Sequence, residues 1–398
     1  MGRAARCARA ASFNRNHTRH DDGSGASSGD SPTPSVSKMC LGKREDSPPA
    51  VAVVRVSFGA YHQRAEKGGV AKKSTSAAVA VPELDLDAKI DKLLRHDGAG
   101  EFGTFIATVE RDVAVPGTRA RVHCNVVHLD GNGMPRVADL ARWLAYQIID
   151  YVIPRREIAE AKAYDDAHHT TRRGAELHSK AKQLFARVTK SGEGGELLLY
   201  VLAQTQLGLP QLFCKMPHKT NPKVHVHGID GIHVGVNPDT GGLALYWGES
   251  KLHKTVTSAV TEALDSIKPF VCREGGTGAP YERDLQLMRD NIDLADAELE
   301  EAMIHFLDRD DPKHNEVQFR GICLIGFDHE CYPSAHNEKE INALLDEARS
   351  ALQEWMKLVT TQITNRPPLA SIDLELFLVP FPAVEDFRKA FLHELTYA

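Results

Sequence analysis

The sequence predicts an α/β fold, and three observations lead to that prediction. Stretches in which apolar and polar residues alternate, as they do in strands, lie within 98–130 and 228–252. Stretches with apolar residues at the spacing of one helix face lie between and after them. The chain has 398 residues, of which 42% are hydrophobic, so it is long enough to bury the core of such a fold.

The N-terminal part of the chain differs in composition from the rest. Residues 1–95 are rich in Ser, Ala, Gly, Arg and Pro, and we predict that they form a disordered extension. Order should begin where the first alternating stretch starts. We predict an N-terminal strand and helix part over 96–170, a core over 171–335, and a C-terminal helix and strand over 336–398 that close the domain.

The first half of the ordered region is predicted to hold two strands and three helices. The strands lie within F-G-T-F-I-A-T-V-E-R and R-V-H-C-N-V-V-H-L, and a helix follows over 135–153. A second helix is predicted from Tyr164 to Lys190. A third runs from Glu196 toward Gly208, and because it is apolar nearly all round it should be buried.

The second half alternates between the two periodicities. In order, we predict a hairpin over 228–252, an amphipathic helix from Lys254 to Phe270, an acidic helix over 293–307, a strand over 321–328, a long helix over 337–365, and a strand over 372–381 before a short final helix. A glycine-rich loop, E-G-G-T-G-A-P, ends the amphipathic helix.

Charge and composition exclude several classes of function. After residue 80 the chain holds 35 Lys/Arg against 48 Asp/Glu, which argues against tight, non-specific wrapping of nucleic acid. No stretch approaches the run of about 18 apolar residues that a membrane helix requires, so we predict no membrane partner. The seven cysteines are scattered and form no C-x-x-C pair. This usage fits a reducing compartment, and we expect a cytoplasmic location.

The hairpin carries charged residues whose geometry follows from its register. Facing residues of an antiparallel pair have position numbers with a constant sum; a loop centred on 238–241 makes that sum 479, so Asp230 should face Glu249. Side chains alternate between faces with period two, which places Glu249 and Lys251 on the face of Asp230. A loop of odd length would shift this register by one residue. The even loop predicts that two carboxylates and one ammonium converge.

Such a group requires a compensating charge. Two carboxylates on a partly buried sheet repel each other, and removing them from water costs free energy. Lys251 could offset part of this cost, but Mg²⁺ or Mn²⁺ bound through oxygen ligands suits two acids and water better. A site of this kind can hydrolyse phosphodiesters, with Lys251 orienting the attacking water or stabilising the transition state.

Glu196 is the candidate for a third carboxylate in this group. It opens the buried helix just after the glycine-rich break S-G-E-G-G, which would allow the helix to approach the strands closely. The alternative is that Glu196 only complements the helix dipole in the first turn.

A basic connection precedes the hairpin and has two interpretations. It contains Lys215, Lys219 and Lys223, together with His218. These side chains could hold a DNA backbone, or they could belong to an ordinary solvated loop.

The spacing D-(x)18-E-x-K, preceded by a helical Glu, resembles the motif of the PD-(D/E)xK nuclease superfamily. The segment W-G-E-S-K-L, followed by a helix, further resembles the HamA family, the nuclease effectors of the Hachiman anti-phage system. The resemblance covers approximately residues 97–335 and, more weakly, the C-terminus. The sequence departs from the superfamily pattern at Asp230, which follows Ile229 where the pattern has proline.

The resemblance implies a restriction-endonuclease-like core with a mixed central sheet flanked by helices. It implies that Asp230 and Glu249 bind a metal ion together with the backbone carbonyl of Ser250, that Glu196 matches the helical acid, and that Lys251 matches the catalytic lysine. It also implies an Mg²⁺-dependent deoxyribonuclease that acts with a HamB-like helicase subunit. The sequence contains no G-x-x-x-x-G-K-[ST], so a partner would have to supply any P-loop motor.

Two alternatives to a deoxyribonuclease remain open at this point. The protein could be a catalytically inert assembly module in which Asp230, Glu249 and Lys251 form a structural salt-bridge cluster. It could also cleave RNA or single strands. The sequence offers no feature, such as an aromatic platform for unpaired bases, that separates these substrates.

Overall fold

The computed structural model describes residues 84–95, 100–186, 192–215, 228–237, 239–276, 278–335 and 339–397. They belong to one compact unit, Val79–Ala398. At its centre is a six-stranded sheet in the order β1-β2-β6-β5-β4-β3. The strands are β1 (Ile106–Ala114), β2 (Arg121–Val127), β3 (Gly231–Val236), β4 (Leu243–His253), β5 (Gln318–Asp328) and β6 (Leu374–Phe381).

The sheet is mixed, and its parallel part lies in the middle. Strands β2, β6, β5 and β4 are parallel to one another, whereas β1 and β3 pair with them as antiparallel edges. Parallel neighbours need long crossover connections, and helices provide them here. The predicted α/β class, with a mixed sheet flanked by helices, is confirmed.

Helices of the first half differ from the prediction in three places, the first of which is that the helix predicted over 135–153 is divided into two at Gln147. They are α1 (Leu86–Asp91), α2 (Val137–Tyr146), α3 (Ile148–Val152), α4 (Arg155–His168), α5 (Arg172–Ala186) and α6 (Glu193–Leu207). The prediction of disorder to about residue 95 is wrong at its end, because α1 forms there, is capped by Asp85 and buries Leu86 and Ile90. Residues 1–83 lie outside the described residues.

The predicted continuous helix from Tyr164 to Lys190 is wrong, because two helices occupy this region. Helix α4 ends at His169, which has the left-handed φ of 50° and donates its N–H to the carbonyls of Asp165 and Asp166. A residue in the left-handed backbone conformation cannot continue the helix, so the chain turns and α5 begins as a separate helix. Residues 187–191 lie outside the described residues.

Helices of the second half include one that the sequence analysis missed. They are α7 (Val256–Val271), α8 (Pro280–Asp290), α9 (Ala297–Leu307), α10 (Ile341–Thr364), α11 (Pro367–Ala370) and α12 (Val384–Tyr397). Helix α8 was not predicted, although Pro280 at its start and the buried Tyr281, Leu285 and Met288 at helical spacing are signals of a short amphipathic helix.

Helices α6 and α7 cover opposite faces of the sheet at β4. Helix α6 packs on the face of Leu252, and its residues Leu197–Leu202 are buried, as predicted for a helix that is apolar nearly all round. Helix α7 packs on the other face, where Trp247 meets Phe270 with ring centroids 5.3 Å apart. The charged positions of β4 therefore lie between two helical layers.

Candidate active site

The hairpin of β3 and β4 has the predicted register. Gly231 pairs with Gly248 and Ile232 with Trp247, so facing positions sum to the predicted value. Asp230 stands just before β3, and its N–H donates to the carbonyl of Gly248 at 2.9 Å, a bond that departs by one residue from the register of the ladder. The predicted register is confirmed from Gly231 to Val236, and the facing of Asp230 and Glu249, which lies beyond the end of the ladder, stays a prediction.

The charged side chains make direct contacts around this point. The Nζ of Lys251 lies 2.5 Å from Oε1 of Glu249, and the main-chain N–H of Ser250 donates to Oδ2 of Asp230 at 2.9 Å. Glu249 is 5% exposed, whereas about a quarter of the Lys251 side chain reaches solvent, at 26%. The Lys251 side chain is thus more accessible than that of Glu249.

Burial dominates the electrostatics of Glu249. It raises the pKa of the Glu249 carboxyl, although the Lys251 ammonium and a hydrogen bond with Ser266 act in the opposite direction, and Glu196 adds to the rise. For Lys251, burial lowers the pKa, but Glu249 and then Asp230 outweigh it, so the pKa of Lys251 is raised. Lys251 therefore stays protonated at neutral pH, while the ionised form of Glu249 is disfavoured by its surroundings.

Glu196 reaches this region because the first turn of α6 contains two glycines, Gly194 and Gly195. A Cβ on Gly195 would overlap Oγ of Ser250 and would lie 3.1 Å from Cδ1 of Leu252. Only a glycine allows the first turn of α6 to lie directly on β4. The close approach predicted from the glycine-rich break is present, and Glu196 is near enough to Glu249 to raise its pKa.

Tyr151 of α3 also belongs to this region, and the sequence analysis missed it. Its hydroxyl lies 3.1 Å from Oε2 of Glu196 and 3.1 Å from the carbonyl oxygen of Asp230. Burial, with help from Glu196 and Asp230, holds the pKa of Tyr151 well above its usual value. The phenol is therefore a hydrogen-bond donor. In the sequence it appears only as one apolar residue of a helical stretch, so no local pattern singled it out.

Lys215 does not have either of its predicted roles. It is 3% exposed, and its Nζ donates to the carbonyl of Ile229 at 2.7 Å and to Oδ2 of Asp284 at 3.0 Å. A buried ammonium in an ion pair neither holds DNA nor belongs to a solvated loop. The other members of the basic connection, Lys219, Lys223 and His218, lie outside the described residues.

The donor atoms of the site suit a hard divalent cation. Three carboxyl groups, those of Glu196, Asp230 and Glu249, and the Lys251 ammonium lie in this region. Asp230, Glu249 and the main-chain carbonyl of Ser250 offer oxygen atoms of the type that Mg²⁺ prefers. Within the described residues, no three His, Cys, Asp or Glu side chains already stand close enough to hold one ion. An ion would have to share Glu249 with Lys251.

Comparison with known proteins identifies the family. A family model described as HamA matches residues 103–395, a range that includes all six strands and every residue of the candidate site. A search of the curated proteins found no match. None of the helices in the described part of the chain is long and apolar enough to cross a membrane. The chain belongs to the HamA family, which indicates a component of the Hachiman defence system and of its complex.

Proposed function

We propose that this protein is a metal-dependent nuclease that hydrolyses phosphodiester bonds of DNA, as the effector of the defence complex. The observation that carries the proposal is the hydrogen bond from the main-chain N–H of Ser250 to the Asp230 carboxylate, which brings Asp230 to the strand that bears Glu249 and Lys251. Asp230, Glu249 and the Ser250 carbonyl would hold Mg²⁺ or Mn²⁺, with Glu196 close by. When bound, such an ion lowers the pKa of a coordinated water and offsets charge on the phosphate.

Lys251 has the properties that the reaction requires of a cationic group. Its side chain is partly exposed, and its ammonium stays protonated because its pKa is raised. It can therefore contact a phosphate oxygen and stabilise the negative charge that develops as the attacking oxygen approaches. Glu249 orients this ammonium through its hydrogen bond, and the Ser250 N–H orients the Asp230 carboxylate.

The proposal includes a helicase partner. Family membership supports a partner complex, and the sequence has no P-loop motif with which this chain could drive strand separation. We propose that a HamB-like helicase subunit supplies this activity and presents the DNA.

The direct test compares Glu249→Ala and Lys251→Ala with the wild type on plasmid DNA, with the helicase subunit and Mg²⁺ present. We expect roughly a 100-fold or greater loss of cleavage in each variant, because each removes a group that acts on the transition state. Single-stranded DNA and RNA assayed side by side identify the preferred substrate.

The matched controls for this test are Glu354→Ala and Lys357→Ala. Glu354 and Lys357 form an exposed ion pair at 2.6 Å on α10, so both variants should cleave DNA like the wild type. Equal degradation by the wild type and both site variants, or degradation that persists in EDTA, would remove the proposed site from consideration.

One observation favours a second candidate, an inert assembly module. The Lys251 ammonium already contacts the Glu249 carboxylate, so the cluster could be a structural ion pair. A metal titration separates the two functions. If the site binds Mn²⁺, saturation at about 100 times Kd should stabilise the protein by about 2.7 kcal/mol. Melting should be followed above the raised pKa of Glu249, because the ligand must be deprotonated to bind.

In the same titration, Glu249→Gln should abolish the stabilisation by Mn²⁺. An unchanged melting temperature of the wild type at every Mn²⁺ concentration would favour the assembly module instead.

A further inference from the structure

Two successive main-chain carbonyls at Asp230 each accept a hydrogen bond from a buried side chain. The carbonyl of Ile229 accepts from Nζ of Lys215 at 2.7 Å, and the carbonyl of Asp230 lies 3.1 Å from the hydroxyl of Tyr151. Neither donor belongs to the hairpin: Tyr151 comes from α3, and Lys215 follows α6. Three separate parts of the chain therefore meet at this turn.

The Lys215–Asp284 ion pair packs so closely against the backbone before Asp230 that it constrains the path of that backbone. Asp284 of α8 holds the Lys215 ammonium at 3.0 Å, and both side chains are buried. A Cβ on Gly228 would lie 2.7 Å from Oδ2 of Asp284 and 2.8 Å from Nζ of Lys215. The backbone leading to Asp230 thus rests directly on the ion pair, and only glycine fits at residue 228.

The Tyr151 side chain links the turn at Asp230 to Glu196 of α6. Its hydroxyl has one proton and lies at equal distance from the Asp230 carbonyl and from Oε2 of Glu196. The ring is fixed by its neighbours, with Tyr200 at 5.2 Å and Phe185 at 6.0 Å between ring centroids. One rigid phenol therefore sets the backbone at Asp230 relative to Glu196.

These contacts matter because Asp230 lies outside the regular ladder. It precedes the first residue of β3, and its N–H donates to the carbonyl of Gly248. A side chain points where its backbone directs it, so the carbonyl contacts hold the Asp230 carboxylate in place together with the Ser250 N–H that donates to it. Groups that orient a ligand without touching the ion or the substrate commonly change metal affinity or activity about 10- to 100-fold when they are removed.

We propose that Tyr151 and the buried Lys215–Asp284 pair are positioning residues, which aim the Asp230 carboxylate at the metal and substrate. This inference rests on the proposed metal-dependent function. Being buried, these residues do not contact the substrate, so their loss should weaken metal binding more than it slows cleavage at saturating metal.

The experiment uses Tyr151→Phe, which keeps the ring and removes the hydroxyl. The matched control is Tyr332→Phe, because Tyr332 is also buried and its hydroxyl also holds main-chain groups, donating to Pro380 at 2.8 Å and accepting from Val127 at 2.9 Å. Both variants lose a comparable buried contact, but only Tyr151 touches the site. Mn²⁺ binding is measured by titration, and cleavage is measured against Mg²⁺ concentration with the helicase subunit present.

We expect Tyr151→Phe to raise the half-saturating metal concentration about 10-fold or more, with a smaller change in the saturated rate, while Tyr332→Phe stays within about twofold of the wild type. The double variant Lys215→Met/Asp284→Leu, which replaces the ion pair by apolar side chains, should shift in the same direction as Tyr151→Phe.

The outcomes distinguish this inference from the function on which it rests. If the wild type binds and cleaves but Tyr151→Phe and the double variant respond to metal like Tyr332→Phe, the positioning role is overturned and the nuclease remains. If the wild type neither binds Mn²⁺ nor cleaves, the proposed function fails and this inference fails with it.

Discussion

Replacing Lys215 with Met is expected to lower the free energy of unfolding by about 3–5 kcal/mol, which is the usual effect of breaking a buried ion pair from one side. The substitution leaves the Asp284 carboxylate, 7% exposed, without the ammonium that neutralises it. It also takes a hydrogen-bond donor from the Ile229 carbonyl. Both losses occur away from water, so solvent cannot replace the missing contacts.

Urea unfolding followed by circular dichroism measures this effect. Two variants make the result specific. Lys180→Met breaks an exposed pair with Glu157 and should cost at most about 1 kcal/mol. Lys215→Met/Asp284→Leu removes both charges and should recover most of the loss, because apolar pairs of similar volume often replace buried ion pairs without penalty. A Lys215→Met protein as stable as the Lys180→Met protein would show that the buried pair is not formed.

The second large effect concerns the contact between α6 and β4. Gly195→Val should reduce cleavage roughly 100-fold, because a displacement of about 1 Å in a catalytic group can have that effect. The new side chain would collide with Ser250 and Leu252, and α6 would have to move away from the strand together with Glu196. Overpacking of this kind typically costs about 1–3 kcal/mol of stability, so the protein should still fold.

The control is Gly103→Val, at a position where an added Cβ meets nothing within 4 Å. Cleavage and urea unfolding are measured on both variants. Wild-type cleavage by Gly195→Val would mean that the separation of α6 from β4 does not affect the reaction, and Glu196 would lose its proposed place in the site.

The sequence analysis succeeded where a rule of local geometry applies. The register of the β3–β4 hairpin follows from the length of its loop, and the observed pairing of Gly231 with Gly248 agrees with it. The burial of α6 follows from its apolar residues, since a helix without a polar face has no surface to present to water. In both cases the information lies within one continuous stretch of chain.

Sequence patterns do not reveal a residue that acts through a distant one. Lys215 looked like part of a basic surface, because lysines are usually exposed. Its partner Asp284 lies 69 positions later, on a helix that was not predicted. Tyr151 looked like a core residue, and its contact with Asp230 spans 79 positions. No periodicity relates such pairs.

The sequence by itself determined the α/β class, the hairpin register, and the presence of two acids and a lysine on one stretch of sheet, because periodicity and turn length act between near neighbours in the chain. Only the tertiary structure decided that α6 brings Glu196 to those residues, that Tyr151 and Lys215 hold the turn at Asp230, and that Glu249 is buried enough to raise its pKa. These features depend on how helices and strands pack across the sheet. Burial and the meeting of distant side chains are properties of that packing and appear in no single segment.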